Sequence, residues 1–150
     1  NEDRDLKEAE YFTKAGEGKL KVGICRGAQF LCVMNKGRLW QNVNNHTRKH
    51  NCYFPPLKKT VEVTSTHHQM MDPSGIPEVE MLGYATRVNT KRESADKALM
   101  SDKFIDIESV FFKKTNSFCF QPHPEYGHKA TEDIFFELLM PLLPVKKETK

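Results

Sequence analysis

The stretch Gly23-Ile24-Cys25-Arg26-Gly27-Ala28-Gln29 decides the fold, because it predicts a sharp turn from a β-strand into an α-helix with a cysteine at the tip. Alternating apolar residues lead into it over 20–24, and the apolar run 28–34 that follows suits a helix. Such a turn needs small residues two positions before and after its centre, and the two glycines meet this need. The partial positive charge of a helix N-terminus predicts a lowered pKa for the Cys25 thiol. Cys25 is therefore a candidate nucleophile, and the alternative is a buried cysteine beside a glycine turn.

A second motif, Phe120-Gln121-Pro122-His123-Pro124-Glu125, ends another apolar run. A cysteine nucleophile needs a base, and the base needs a third group that orients it. His123 and Glu125 have the right chemistry, and the two prolines restrict the backbone that presents them. Taken alone, this motif is also typical of a loop with a solvated carboxylate. Paired with the cysteine turn, it predicts a Cys–His–Glu triad.

A third segment, Val63-Thr64-Ser65-Thr66-His67-His68-Gln69, follows residues that alternate as in a strand. By itself it would be a polar strand end with two exposed histidines. Its position between the other two motifs in the sequence makes a functional role worth considering.

The three motifs, in this order, resemble those of the class I glutamine amidotransferases, and most closely the branch that contains the γ-glutamyl-γ-aminobutyrate hydrolases. That branch carries Gly-Ile-Cys-Arg-Gly-x-Gln, Ser-x-His-His-Gln and Gln-x-His-Pro-Glu segments. The resemblance extends over about residues 3–138, which is nearly the whole chain.

The resemblance implies a catalytic role for three residues. Cys25 would attack a glutamine or γ-glutamyl amide and form a γ-glutamyl thioester. His123 would give a proton to the leaving amine and then activate water, and Glu125 would orient His123.

The resemblance also implies substrate-binding roles. The backbone N–H of Arg26 would be one oxyanion donor, and Gln29 would contact the amino-acid end of the substrate. Ser65, Thr66 and His67 match the segment that holds the α-amino and α-carboxylate groups.

The chain departs from these relatives before Cys25, where they have a longer region with a first strand, a first helix and a Gly-Gly loop that supplies the second oxyanion donor. Only 24 residues precede Cys25, and the sequence contains no Gly-Gly pair. We therefore expect residues 1–150 to form one domain that is incomplete at its N-terminus or is completed by another polypeptide.

Composition is typical of a soluble domain. Mean hydropathy is −0.63 and no long apolar run is present, so we expect no membrane span. The net charge is only +3 and the basic residues are scattered, so we expect no nucleic-acid-binding surface. The four cysteines show no disulfide-like spacing, which suits a reducing, cytoplasmic location. His46-x-x-x-His50-x-Cys52 has a spacing that a metal could use, but it lacks a fourth ligand nearby, and we expect neither a metal nor a cofactor.

Alternating helix and strand patterns predict an α/β fold: a flavodoxin-like, mostly parallel central sheet flanked by helices, without the first strand and helix of the relatives. Helices are expected over 4–16, 26–35 and 129–140, and strands over 20–24, 60–65, 79–89, 106–113 and 116–121, the last two as a hairpin. The stretch 36–56 is expected to be irregular, and 90–103 to be an exposed loop or short helix.

The leading hypothesis is hydrolysis of a γ-glutamyl amide by a stand-alone enzyme. One alternative is a glutaminase subunit that supplies ammonia to a separate synthetase partner. Another is a catalytically silent homologue that acts in binding or assembly, and a homo-oligomer is compatible with each.

Overall fold

A computed structural model describes residues 2–43, 49–64, 69–86, 92–94 and 106–144. Helices and strands alternate only in part along these residues. The helices are α1 (Glu2–Ala15), α2 (Arg26–Met34) and α3 (Lys129–Leu139). The strands are β1 (Lys21–Ile24), β2 (Arg38–Val43), β3 (His50–Phe54), β4 (Lys59–Val63), β5 (Met70–Asp72), β6 (Val79–Ala85), β7 (Arg92–Ser94), β8 (Ile107–Phe112) and β9 (Ser117–Phe120).

The central sheet has six strands in the order β1-β9-β8-β6-β3-β4, with helices packed against it, which confirms the α/β fold. Within the described residues, parallel pairing is confined to β1 and β9, and the other four pairs are antiparallel. The sheet is therefore mixed, and its parallel part is narrower than predicted. Short turns such as the one between β8 and β9 join neighbouring strands, and only antiparallel strands can be joined so tightly.

A second sheet of three strands has the order β5-β2-β7. Two of the structural predictions are wrong here. The stretch 36–56 contains β2 and β3, because Trp40, Cys52 and Phe54 are buried among distant residues. Part of the predicted loop over 90–103 is strand β7, and its remaining residues lie outside the described ones.

The core lies on both faces of the central sheet. Successive side chains of a strand point to opposite faces, and β9 follows this rule. Phe118 and Phe120 pack with Ile134 and Phe135 of α3, whereas Cys119 packs with residues of α2. Two helices thus cover the parallel pair of strands from opposite sides and hold the ends of those strands in place.

Helix α1 lies at the edge of this arrangement, and none of its residues is buried. Leu6 and Tyr11 are largely exposed, while Phe12 packs against the core on the α2 side. No helix in the described part of the chain has the length and apolar character that crossing a membrane requires.

Candidate active site

The turn between β1 and α2 has the geometry that its sequence predicts. The backbone of Cys25 adopts φ 54° and ψ −108°, a conformation that residues other than glycine rarely adopt. A Cβ atom on Gly23 would lie 2.4 Å from the carbonyl oxygen of Gly27, so the first glycine is required by its close contact with the turn. Among the described residues, and leaving aside the nearby backbone of α2 itself, a Cβ atom on Gly27 would meet nothing within 4 Å. The expectation that steric crowding requires the second glycine is therefore wrong. The turn is tight on the strand side only.

The parallel pair β1 and β9 brings the first two motifs together. Ile24 lies opposite Phe120 in the register, and the Cys25 N–H donates a 2.8 Å hydrogen bond to the Phe120 carbonyl oxygen. Both strands end at the same edge of the sheet, so the residues that follow them meet there. Cys25 and the segment from Gln121 to His123 therefore leave the sheet side by side.

His123 is held on one side by Glu125. Its Nδ1–H donates to Glu125 Oε1 at 2.5 Å, because a carboxylate can only accept. The imidazole also stacks on the ring of Tyr126, with 4.2 Å between the ring centroids. Nε2 is buried, and among the residues that the structure describes it has no hydrogen-bond partner, Cys25 included. His123 thus has an oriented ring, and the direct hydrogen bond from Cys25 to His123 Nε2 is not formed.

The electrostatic surroundings of Cys25 differ from the prediction. Burial raises the pKa of the thiol, and the negative charges of Glu125 and Glu108 raise it further. A hydrogen bond from the backbone N–H of Arg26 lowers it, but by less. The predicted lowering of the Cys25 pKa is therefore wrong, because the cost of burying the charged sulfur exceeds the help from the helix N-terminus.

The side chain of Arg26 turns away from the site. It pairs with Asp5 and, at 3.2 Å, with Glu8, both on α1. These three side chains join the start of α2 to α1 at the surface. Arg26 therefore offers only its backbone N–H to Cys25.

Buried amides link the first two motifs to the third. The Gln29 side-chain N–H₂ donates to the Gln69 carbonyl oxygen at 2.9 Å and to Gln121 Oε1 at 3.3 Å. Gln121 is fully buried. Gln29 thus joins α2 to the end of β9 and to the residue that precedes β5.

The predicted substrate-binding residues of the third motif, Ser65, Thr66 and His67, lie outside the described residues. Both flanking residues are described, and both contact the site. Thr64 Oγ1 donates to the His123 carbonyl oxygen at 3.0 Å, and the His123 N–H donates to the Thr64 carbonyl oxygen at 3.3 Å. At the other end, Gln69 accepts from Gln29.

Three contributors to the site were not singled out from the sequence: Thr64, Gln121 and Tyr126. Thr64 and Gln121 belong to the quoted motifs. Their closeness in sequence to Ser65 and His123 could have indicated that they contribute to the site. The stacking of Tyr126 on His123 depends on a short helical turn over Pro124–Tyr126, which the sequence pattern did not indicate.

Comparisons with known structures show the fold. A protein from Thermoplasma acidophilum that is described as one of the subunits of GMP synthase matches with a TM-score of 0.65 and 15% identity, covering 93% of this chain and 64% of that one. A glutamine amidotransferase from Thermotoga maritima matches with a TM-score of 0.54 and 12% identity, covering 91% of this chain and 54% of that one. PurLQS from Thermotoga maritima matches with a TM-score of 0.55 and 22% identity, covering 90% of this chain and 68% of that one. The chain thus spans about half to two thirds of the length of these structures.

Among curated protein sequences, no match is found. The sequence model of one family, described as Peptidase C26, matches residues 1–125 and so includes the cysteine turn, the third motif and the His123–Glu125 pair. The chain therefore belongs to the Peptidase C26 family.

Proposed function

We propose that this protein hydrolyses a γ-glutamyl amide through a triad of Cys25, His123 and Glu125. The observation that carries the proposal is the register of β1 and β9. It supports the proposal because Cys25, in a strained turn, follows the end of β1, and the segment that carries His123 follows the paired end of β9. The ring of His123 is oriented by a carboxylate. Nucleophile, base and orienting group are the three parts that covalent amide hydrolysis needs.

The proposed reaction has two halves. Cys25 Sγ attacks the γ-carbonyl carbon, a carbon–sulfur bond forms, and the carbon–nitrogen bond breaks as His123 Nε2 protonates the leaving amine. Water then attacks the γ-glutamyl thioester while His123 accepts a proton from it. Glutamate leaves and the Cys25 thiol is restored. In both halves Glu125 keeps Nδ1 protonated and stabilises the charged imidazolium.

The raised pKa of Cys25 bears on the first step. Burial and two carboxylates raise the pKa of Cys25 above its ordinary value, and so favour the neutral thiol near neutral pH. The thiol proton must therefore move to His123 Nε2 as the substrate is attacked. That nitrogen has no hydrogen-bond partner among the described residues, which supports this role.

We further propose that the Arg26 N–H is one oxyanion donor. This N–H donates a hydrogen bond to the Cys25 sulfur. It would therefore lie close to the carbonyl group that the sulfur attacks. It stands at the start of α2, a nine-residue helix whose N-terminal dipole favours developing negative charge.

Substrate recognition is proposed for Ser65, Thr66 and His67, with Gln29 in support. The flanking residues Thr64 and Gln69 are bound to His123 and Gln29, so the segment between them starts and ends beside the site. Since the Gln29 amide nitrogen is engaged with Gln69 and Gln121, its oxygen is the atom left for a substrate ammonium group.

A second candidate function is that of a glutaminase subunit that delivers ammonia to a synthetase. The names of two structural neighbours, PurLQS and the GMP synthase subunit, favour it. We prefer the stand-alone hydrolase because the segments Gly23–Gln29 and Ser65–Gln69 resemble that branch best. A third candidate is a catalytically silent homologue that acts in binding or assembly, which would have the same fold but would turn over neither substrate.

One assay separates these functions. Ammonia release from glutamine and amine release from γ-glutamyl-γ-aminobutyrate are measured with the purified protein, with and without cell extract, beside the Cys25→Ala variant. The proposal predicts amine release without extract that requires Cys25. Strong stimulation by extract on glutamine alone would favour the glutaminase role, and no turnover of either substrate under any condition would favour the silent homologue.

A further inference from the structure

Outside the proposed triad, three side chains that commonly bind metals converge in the sheet. His50 and Cys52 lie two residues apart on β3, and therefore on one face of the strand, while Glu108 lies on β8. One ligand atom from each of the three lies within 4.8 Å of the other two. Imidazole nitrogen, thiolate sulfur and carboxylate oxygen are together the ligand types that Zn²⁺ prefers.

From this cluster we infer that the protein binds one Zn²⁺ ion between His50 Nε2, Cys52 Sγ and a Glu108 carboxylate oxygen. Bonds of about 2.0–2.3 Å in a tetrahedral arrangement would separate the ligand atoms by about 3.3–3.6 Å. His50 Nε2 and Glu108 Oε1 are now 2.8 Å apart, joined by a hydrogen bond. Zinc would replace the hydrogen between them and move these two atoms apart by less than about 1 Å.

A small residue lies beside the cluster on the strand between the ligand strands. Strand β6 runs between β3 and β8, and its residue opposite Cys52 is Ala85, which has a small side chain. Residues directly opposite on neighbouring antiparallel strands point to the same face, so the small side chain of Ala85 lies on the same face as Cys52. The strands fix the backbone of all three ligands, which is the kind of rigid support a metal site needs.

The charge and exposure of the cluster suit a cation. Cys52 and Glu108 are fully buried, and a second buried carboxylate, Asp106, lies near enough to interact electrostatically with Cys52. The His50 side chain retains 16% exposure, so an ion has a route from solvent on that side. With Cys52 deprotonated, the thiolate and the Glu108 carboxylate would together balance the charge of Zn²⁺.

Three protein ligands leave a fourth position, which water commonly fills in zinc sites. The sequence alone suggested only His46, His50 and Cys52 as possible metal ligands, from their spacing. His46 lies outside the described residues. Glu108, which the fold brings from β8, supplies the ligand that this spacing lacked.

The test uses the protein after removal of metals with a chelator. Zn²⁺ is titrated by calorimetry, and Co²⁺ is titrated as a coloured substitute whose absorption reveals a thiolate ligand. We expect one equivalent of either metal, a thiolate-to-cobalt band, and a higher melting temperature with zinc. X-ray absorption at the zinc edge of the unmodified protein should show one sulfur among nitrogen and oxygen neighbours.

Variants identify the ligands. Cys52→Ala should abolish the thiolate band, and Glu108→Gln should weaken zinc binding by more than the roughly 10–100-fold that loss of an outer-shell partner causes. Cys119→Ala, which removes another buried thiol outside the cluster, should change neither. Loss of binding in Cys25→Ala with retention in Cys52→Ala would place the metal at Cys25 and overturn the inference. So would the absence of one sulfur neighbour in the unmodified protein, a result that does not depend on any variant folding.

Discussion

The backbone N–H of Cys25 donates a 2.8 Å hydrogen bond to the carbonyl oxygen of Phe120. This bond continues the parallel ladder of β1 and β9 by one step beyond the strands and into the turn. It joins the candidate nucleophile to the chain that reaches His123 three residues later. The geometry of the site therefore depends on the sheet and on Gly23 more than on any contact between the side chains.

Thiol reactivity should differ sharply between Cys25 and the other three cysteines. Cys25 is partly exposed, whereas Cys32, Cys52 and Cys119 are buried, and burial raises the pKa of Cys32 to about 12. A glutamine-like electrophile such as diazo-oxo-norleucine should therefore label Cys25 first. Peptide mapping after partial labelling measures this, and uniform labelling of all four would contradict it.

The rate at which Cys25 is alkylated should keep rising into the alkaline pH range. Because the pKa of Cys25 is raised above its ordinary value of 9.0, its thiolate fraction keeps growing as the pH rises past that value. The rate of alkylation by iodoacetamide in the absence of substrate should rise in parallel. A rate that levels off below about pH 8 would instead indicate a preformed thiolate–imidazolium pair.

The two glycines of the turn should tolerate alanine very differently. Gly23→Ala places a Cβ atom 2.4 Å from a backbone oxygen, so it should lower the free energy of unfolding by about 1–3 kcal/mol or more. Gly27→Ala meets nothing within 4 Å and lies in α2, so it should raise the free energy of unfolding by up to about 1 kcal/mol. Urea denaturation of the two variants measures both effects. Equal effects of the same sign would show that the turn is not tight at Gly23.

Loss of the Glu125 charge should impair catalysis without unfolding the protein. Glu125→Gln removes the carboxylate that holds His123 Nδ1–H and stabilises the imidazolium, so kcat on a γ-glutamyl amide should fall about 100-fold or more. Glu132→Gln, at an exposed position in the first turn of α3, is the matched control and should leave kcat unchanged. Similar kcat values for both variants would remove Glu125 from the triad.

The Arg26 side chain should matter little to either stability or turnover. Its pairs with Asp5 and Glu8 are largely exposed, and such pairs contribute about 0–1 kcal/mol. Arg26→Ala should therefore lower the free energy of unfolding by less than about 1 kcal/mol and leave kcat within a few-fold, since the backbone N–H remains. Denaturation at low and high salt and an activity assay check this, with Lys129→Ala as a surface control. A 100-fold loss of kcat would show that the side chain acts in the site.

Local patterns predicted the elements that carry the motifs. Strand β1, helices α2 and α3 and the hairpin of β8 and β9 all follow from short-range periodicity or turn residues. Strand β3 was missed because Asn51 and the prolines after Phe54 give it a polar, broken pattern, and its burial comes from distant packing. The pairing of His50 with Glu108 was out of reach for the same reason, since it joins strands separated by β6. The raised pKa of Cys25 depends on burial, which no local pattern reports.

The proposed mechanism requires Cys25 to carry the γ-glutamyl group during turnover. Mass spectrometry of the protein quenched with acid during reaction with a γ-glutamyl amide, followed by peptide mapping, detects this adduct directly. We expect one γ-glutamyl adduct on the peptide that contains Cys25, and neither adduct nor turnover in Cys25→Ala. Turnover that persists in Cys25→Ala, or an adduct on another residue, would contradict it.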